Sequence, residues 1–353
     1  MIFLFPKYTR AGASSRYRIY QYLETIESAG LTTKVSPLFD DAYLSHKYES
    51  GNVYFIDLLR AFFRRVSGVL TVPRDAVVFI EYELLPYCPA LLERWLKWRG
   101  CKLVFDYDDA IFHQYDTNPN LWVRYLLGGK IASVMKMAST VIAGNEYLAS
   151  YARRSGARDI EVLPTVIDLL RYRLKDEKCI PNVLTIGWIG SPSTARYLNE
   201  IAPALAEICK SGLARICLVG SGPIKLPGVP VEIIDWHEDY EVEYIRRFDV
   251  GIMPLPDEPW ARGKCGFKLI QYMACGLPVV ASPVGVNSEI VKNEVNGYLA
   301  TTIDEWVIAL NALLQNQQKR RQMGERGRQL VQEKYCLNIT APRLLEVLEQ
   351  CAA

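Results

Sequence analysis

Apolar positions along the chain cluster into short continuous runs, and the segments between them repeat with helical period. In the first half the runs are 2–6, 32–38, 76–82, 102–107, 140–144 and 160–163. In the second half they are 184–190, 214–220, 231–235, 249–254, 278–282 and 297–300. Helix-period segments lie between them at 15–29, 86–98, 120–138, 146–155, 194–210, 239–247, 304–315 and 317–334. The runs are unbroken Val, Ile, Leu and Phe instead of alternating, which predicts strands buried on both faces. Strand–helix alternation of this kind implies an α/β chain of parallel sheets clad in helices. The polar stretch 168–182 breaks the rhythm at mid-chain. It predicts two doubly wound domains, 1–168 and 183–335, joined by a linker at 169–182. A last helix over 336–353 could belong to either.

Composition narrows the class. Half of the 353 residues are hydrophobic and 23% are charged, enough for sizeable cores and too apolar for disorder. A net charge of +2 argues against a dedicated nucleic-acid binder. The nine cysteines show no metal spacing, only three histidines are present, and no metal site is expected. The apolar start stops at Pro6-Lys7, too short for a signal-peptide core, and no run of 18 apolar residues occurs. The reading is a cytoplasmic protein, soluble or peripheral at the inner face of a membrane.

The most informative stretch runs from Lys264 to Gly285: a glycine turn, a short helix, Gly276, then a buried strand. The helix should start near Gly266 and end before Gly276. Lys268 falls in its first turn, where a cation opposes the helix dipole and needs a reason outside the helix. A phosphate bound at the helix N-terminus beside Gly266 and Phe267 supplies one, with Arg262 and Lys264 as further cations.

Ligands in open α/β sheets bind beyond the carboxyl ends of strands, so the loops there carry the other candidates. Gly190-Ser191-Pro192-Ser193-Thr194 opens a helix, with Ser193 or Thr194 as N-cap, and is either a plain capped turn or a diphosphate contact. Gly220 lies on the next such loop, and Trp236 on the following one is either core packing or a nucleobase contact. Lys7, Gly12, Ser14, Ser15, Arg16 and Arg18 form a small-residue loop flanked by cations, suited to an anionic or hydroxylated ligand. Asp106, Asp108 and Asp109 with His113 form the densest titratable cluster of the first half. They bind substrate hydroxyls, cap the next segment or hold an ion; Asp109 or His113 could relay a proton. Glu81 is a second acidic strand end. The amphipathic segment 57–66 either docks on anionic lipid or packs its apolar face in the core.

Several of these segments resemble the retaining glycosyltransferases of family 4, which have the GT-B fold. The matching residues are 248–254 (FDVGIMP), 268–282 (KLIQYMACGLPVVAS), 285–291 (GVNSEIV), Asn296-Gly297, 143–148 (AGNEYL) and 162–168 (VLPTVID). The resemblance implies two Rossmann-like domains facing across a cleft, the first for the acceptor and the second for a nucleotide-diphosphate sugar. It implies a hexosyl-type transferase that moves sugar from a UDP- or GDP-sugar to a hydroxyl of a glycan or lipid-linked acceptor, with retention of configuration. No tightly bound cofactor is implied. Lys268, Lys264 and Arg262 would stabilise the leaving diphosphate, Gln271 would contact the ribose, and Glu289 the donor sugar or its phosphate. Gly12, Ser14, Ser15, Arg16, Glu81 and Asp108 would lie on the acceptor side. The chain departs from the family at Gln271 and Gly263, where two glutamates are usual, with Asp257, Glu258 or Glu289 as substitutes. Those departures leave a second reading, a GT-B protein that binds nucleotide sugar or glycan without transfer.

Overall fold

The computed structural model describes residues 1–49, 54–175 and 183–352. The chain divides into two compact units, Met1–Thr165 with Asn338–Ala353, and Val166–Leu337. Each holds one six-stranded, wholly parallel sheet.

In unit 1 the strands are β1 (Ile2–Phe5), β2 (Thr33–Val35), β3 (Val77–Glu81), β4 (Lys102–Tyr107), β5 (Thr140–Ala143) and β6 (Ile160–Val162). Their order is β2-β1-β3-β4-β5-β6. Every residue of β1, β3 and β5 is buried, the outcome expected for unbroken apolar strands between helical layers. In unit 2 they are β7 (Leu184–Ile189), β8 (Ala214–Val219), β9 (Val231–Ile234), β10 (Val250–Met253), β11 (Val279–Ala281) and β12 (Gly297–Leu299). Their order is β12-β11-β10-β7-β8-β9. Trp188, Trp306, Leu198 and Leu310 sit in the main core cluster of this unit.

Strand order reverses once in each sheet, between β1 and β3 and between β7 and β10, while all strands stay parallel. At such a switch point the loops leaving the two central strands part to opposite sides and open a crevice.

The helices are more broken than their periodicity suggests. The 120–138 pattern divides into Leu121–Leu127 and Lys130–Met137 at Gly128-Gly129, where glycine lowers the cost of a break. The 194–210 pattern begins as a short turn, continues as 3₁₀ helix and becomes α-helix only at Ala202–Lys210. The 168–182 stretch is not linker throughout. Val166 already belongs to unit 2, where Tyr172 is 1% exposed and Lys175 pairs with Asp249 at 2.5 Å. Residues 176–182 lie outside the described residues. The last helix, Leu337–Ala352, packs within unit 1: its Thr340 hydroxyl bonds Tyr22 at 2.9 Å.

Candidate functional site

In unit 2 the site is assembled by glycines. Gly190 follows β7 at the switch point, and a β-carbon there would fall 2.6 Å from the Lys268 Cε and 2.7 Å from the Trp188 ring. Gly220, after β8, has φ +72, and its β-carbon would lie 2.4 Å from the Gly190 carbonyl and 3.0 Å from the Trp236 Cβ. Only glycine combines that backbone with that proximity. The loops after β7, β8 and β9 therefore meet. Gly266, φ +66, is the N-cap of the helix Phe267–Ala274, whose span agrees with the sequence reading. Lys268 stands in its first turn, its ammonium 5.2 Å from the Trp188 ring centroid, so its stem lies across Gly190. Tyr272 fixes this helix: its hydroxyl accepts from Ile189 N–H at 3.0 Å, tying the helix to the end of β7.

The neighbouring cations are arranged differently. Arg262 is exposed and pairs with Asp257 at 2.7 Å, while the Lys264 ammonium sits 5.6 Å from the Trp260 ring. Ser191, not Ser193 or Thr194, is the N-cap of the turn 192–195, because Pro192 takes the first helical position. The Ser191 hydroxyl bonds Ser193 at 2.9 Å, and Thr194 donates to the Ser191 carbonyl at 3.1 Å. Glu289 is exposed on the helix Asn287–Ile290. Gly263 ends the turn 259–262; of its expected substitutes, Asp257 is taken by Arg262, and Glu258 accepts from Tyr197 at 3.4 Å.

Gln271, expected at the ribose, is 3% exposed. Its amide donates to the Tyr172 hydroxyl at 2.9 Å and to Glu241 at 3.0 Å. Glu241, itself 4% exposed, also accepts from Tyr172 at 2.9 Å and from the Trp236 indole at 2.9 Å. The amide thus belongs to a buried network that orients Trp236. Sequence reasoning missed Glu241 and Tyr172; the one available signal was an acid in the first turn of the helix Glu241–Arg246.

In unit 1 the second switch point carries a polar cluster. Glu81 ends β3 with 0% exposure and accepts from Ser14 at 2.6 Å, Ser15 at 2.5 Å and Lys7 N–H at 2.8 Å. The Ser14 hydroxyl also lies 3.1 Å from Asp108, and the Tyr82 hydroxyl donates to the same carboxylate. Tyr82 has φ 63, a strained backbone for a non-glycine residue. Gly12 is required because a β-carbon would fall 2.4 Å from the Tyr8 Cβ. Burial, then the Asp108 charge, push the Glu81 carboxyl up to about 7, against the hydrogen bonds from Ser14, Ser15 and Lys7. Burial acts to lower the Lys7 ammonium, but Tyr8 and the carboxylates of Glu83, Glu81 and Asp109 together raise it. The cluster pairs a cation with a carboxyl group poised near neutrality, beside hydroxyls.

Glu81 keeps its proton to about pH 7 when folded but releases it near 4.5 when unfolded, so the folded state binds the extra proton between those values. Stability should fall as pH rises through that window, by up to about 3 kcal/mol. Glu81→Gln removes this dependence. Unfolding free energy measured from pH 4.5 to 8 should be flatter in the variant; parallel curves would contradict a raised Glu81.

Three sequence expectations change here. Asp106 does not join Asp108 and Asp109 in a ligand set: it is 1% exposed and takes a two-pronged contact from Arg18. Arg16 is 1% exposed, its guanidinium 4.9 Å from the Tyr17 ring and donating to the Arg10 carbonyl at 3.3 Å. His113 is held at both ring nitrogens, by Asp116 at 2.8 Å and Tyr147 at 2.9 Å, which occupies the atoms a proton relay would use.

Comparison with known proteins follows the same lines. Residues 180–316 match the family described as Glycosyl transferases group 1. The N-acetyl-alpha-D-glucosaminyl L-malate synthase of Bacillus anthracis is 27% identical over 151 residues, covering 40% of this chain and 38% of that protein. The chain thus matches well under half the length of that relative. Sucrose-phosphate synthase from Thermosynechococcus elongatus superposes with a TM-score of 0.74 at 17% identity, over 99% of this chain and 98% of that one. Anabaena HepE in complex with UDP gives 0.66 at 17% identity, over 99% of both chains. These likenesses establish the fold, which is the two-domain α/β GT-B architecture.

Proposed function

We propose that the chain is a glycosyltransferase that moves a hexosyl group from a nucleotide-diphosphate sugar to a hydroxyl of a glycan or lipid-linked acceptor, with retention of configuration. The observation that carries this reading is Lys268, set in the first turn of a helix and laid across Gly190 at the switch point of unit 2. A cation in the first turn of a helix, where the dipole end is positive, suits a diphosphate on which charge grows as the glycosidic bond breaks. Lys264 and Arg262 add positive charge nearby; Arg262 would exchange its exposed partner Asp257 for phosphate at small cost, since such surface pairs contribute little. Trp236, held by Glu241, is the surface for the base. Gln271 acts through that network and not by touching ribose.

The donor base is uridine or guanosine; the complexes of HepE with UDP and with UDP-glucose favour uridine. In unit 1, Ser14, Asp108 and Asp109 would receive the acceptor, with Lys7 holding the carboxylates' charge; Glu81, 0% exposed, would position Ser14 from beneath without touching the acceptor.

A second reading, nucleotide-sugar binding without transfer, is favoured by Gly263 and Gln271 where the resemblance expects glutamates. The two separate on one experiment. A panel of UDP- and GDP-sugars with hydroxylated acceptors should yield nucleoside diphosphate and a glycoside whose anomeric configuration, read by NMR, matches the donor. Nucleotide binding with no product from any pair would favour the second reading.

A further inference from the structure

The helix Phe55–Leu70 is apolar on two faces. Arg65 points inward, 0% exposed, with its guanidinium 5.0 Å from the Phe5 ring and donating to the carbonyls of Ser36 and Pro6. Leu58, Ala61 and Phe62 pack beside it in a small core cluster. Ile56, Leu59 and Phe63, spaced three and four residues apart, form a second apolar stripe that faces solvent, with Phe63 76% exposed. The helix therefore satisfies the core with one face and leaves a second apolar face outside.

Neighbouring helices repeat the pattern. Right-handed crossovers place the helices between β2 and β5 on one side of the sheet, and Phe55–Leu70 packs on Leu91–Trp98, which packs on Lys130–Met137. Trp98 is 77% exposed, and on the helix Leu121–Leu127, in the β4–β5 crossover, Trp122 and Tyr125 are 73% and 82% exposed. Charge on these four helices is one-sided. They carry eight Lys and Arg residues against two acids, Asp57 and Glu93, although the whole chain is only +2. Glu93 is buried, and Asp57, 17% exposed, bonds His46 and Arg60. Arg60, Arg94, Lys97, Arg124 and Lys136 are exposed.

We propose that this helical face of unit 1 docks on the surface of a bilayer containing anionic phospholipid. Exposed Trp, Tyr and Phe among cations, without exposed acids, match the interfacial zone, where aromatic rings sit at headgroup depth and Lys or Arg meet phosphate. Among the described residues no helix is long and apolar enough to cross a membrane, so the contact is one of docking. This inference stands independently of the transfer reading.

Vesicle flotation tests it. The chain should float with phosphatidylglycerol–phosphatidylcholine vesicles, and at least about tenfold less with phosphatidylcholine alone or in high salt. Arg60→Glu with Lys97→Glu and Arg124→Glu should weaken partitioning by on the order of a hundredfold or more. Phe63→Ser with Trp122→Ser should weaken it about tenfold or more while leaving the melting temperature unchanged, because both side chains are already in water. Equal flotation with neutral and anionic vesicles, or none with either, would overturn the proposal. So would a dimer in solution that the Phe63–Trp122 variant makes monomeric without any vesicle binding, which would assign the face to a second copy.

Discussion

Lys268→Ala should lower turnover by on the order of a hundredfold, because in the proposed transfer the ammonium would meet charge that exists mainly in the transition state. Lys268 is held by the Phe267–Ala274 helix on one side and by the Trp188 ring and Gly190 on the other. That preorganisation makes it more than a mobile surface charge, since little reorganisation is needed when the diphosphate departs. Removing it also relieves an unfavourable cation–dipole contact at the helix start, so the variant should be as stable as the parent or slightly more so. A loss of turnover with unchanged or raised stability separates a chemical role from a folding defect. Turnover within about threefold of wild type would place the transition-state charge elsewhere.

The largest effect on stability is expected at Asp106. Its carboxylate and the Arg18 guanidinium have side-chain exposures of 1% and 3%, and Arg18 also donates to the Leu163 carbonyl at 2.9 Å. The pair ties the helix after β1 to the end of β4 and to the exit of β6. Asp106→Ala leaves a buried, uncompensated guanidinium, which costs about 3–5 kcal/mol. Two-pronged geometry adds to the loss, since no water fits the carboxylate's place as well. Asp108→Asn is the control: Asp108 is partly exposed and retains acceptors for Ser14 and Tyr82. Denaturant unfolding of both should give a large shift for Asp106→Ala and a small one for Asp108→Asn. Equal shifts would mean that Asp106 is no more structural than its neighbours.

Each of the twelve runs contains one strand; the central strands were legible because burial on both faces writes itself as apolar residues, while β2, β6 and β9 at the sheet edges are less buried and carry a Lys or Glu. The helix Glu146–Ser155 was equally clear, with Asn145 as a side-chain cap and Gly156 at φ 86 closing it. What escaped the sequence is long-range pairing of polar groups. Nothing local marks Arg18 for Asp106, 88 residues away, or Gln271 for Tyr172, 99 residues away. The first pairing withdraws Asp106 from the acidic triplet, and the second withdraws Gln271 from the ligand. For segment 57–66 the sequence left two readings, lipid docking or core packing, because hydrophobic periodicity cannot tell which of two apolar faces is covered; Arg65 lies on the inner one. The place of Lys268 in the first turn of its helix, by contrast, was legible from local rules alone, where the dipole disfavours a cation.

The central claim is that the Gly190–Lys268 corner of unit 2 binds a nucleoside diphosphate. Thermal unfolding with UDP, GDP and ADP and their sugars, for the wild type and Lys268→Ala, tests it most directly. Ligand at about a hundred times its Kd stabilises by roughly 2.7 kcal/mol, a shift easily seen in the melting of a domain of this size. The account predicts a shift with one base, for the nucleotide and its sugar, that is much reduced in the variant. No shift with any nucleotide, or an equal shift in the variant, would contradict it.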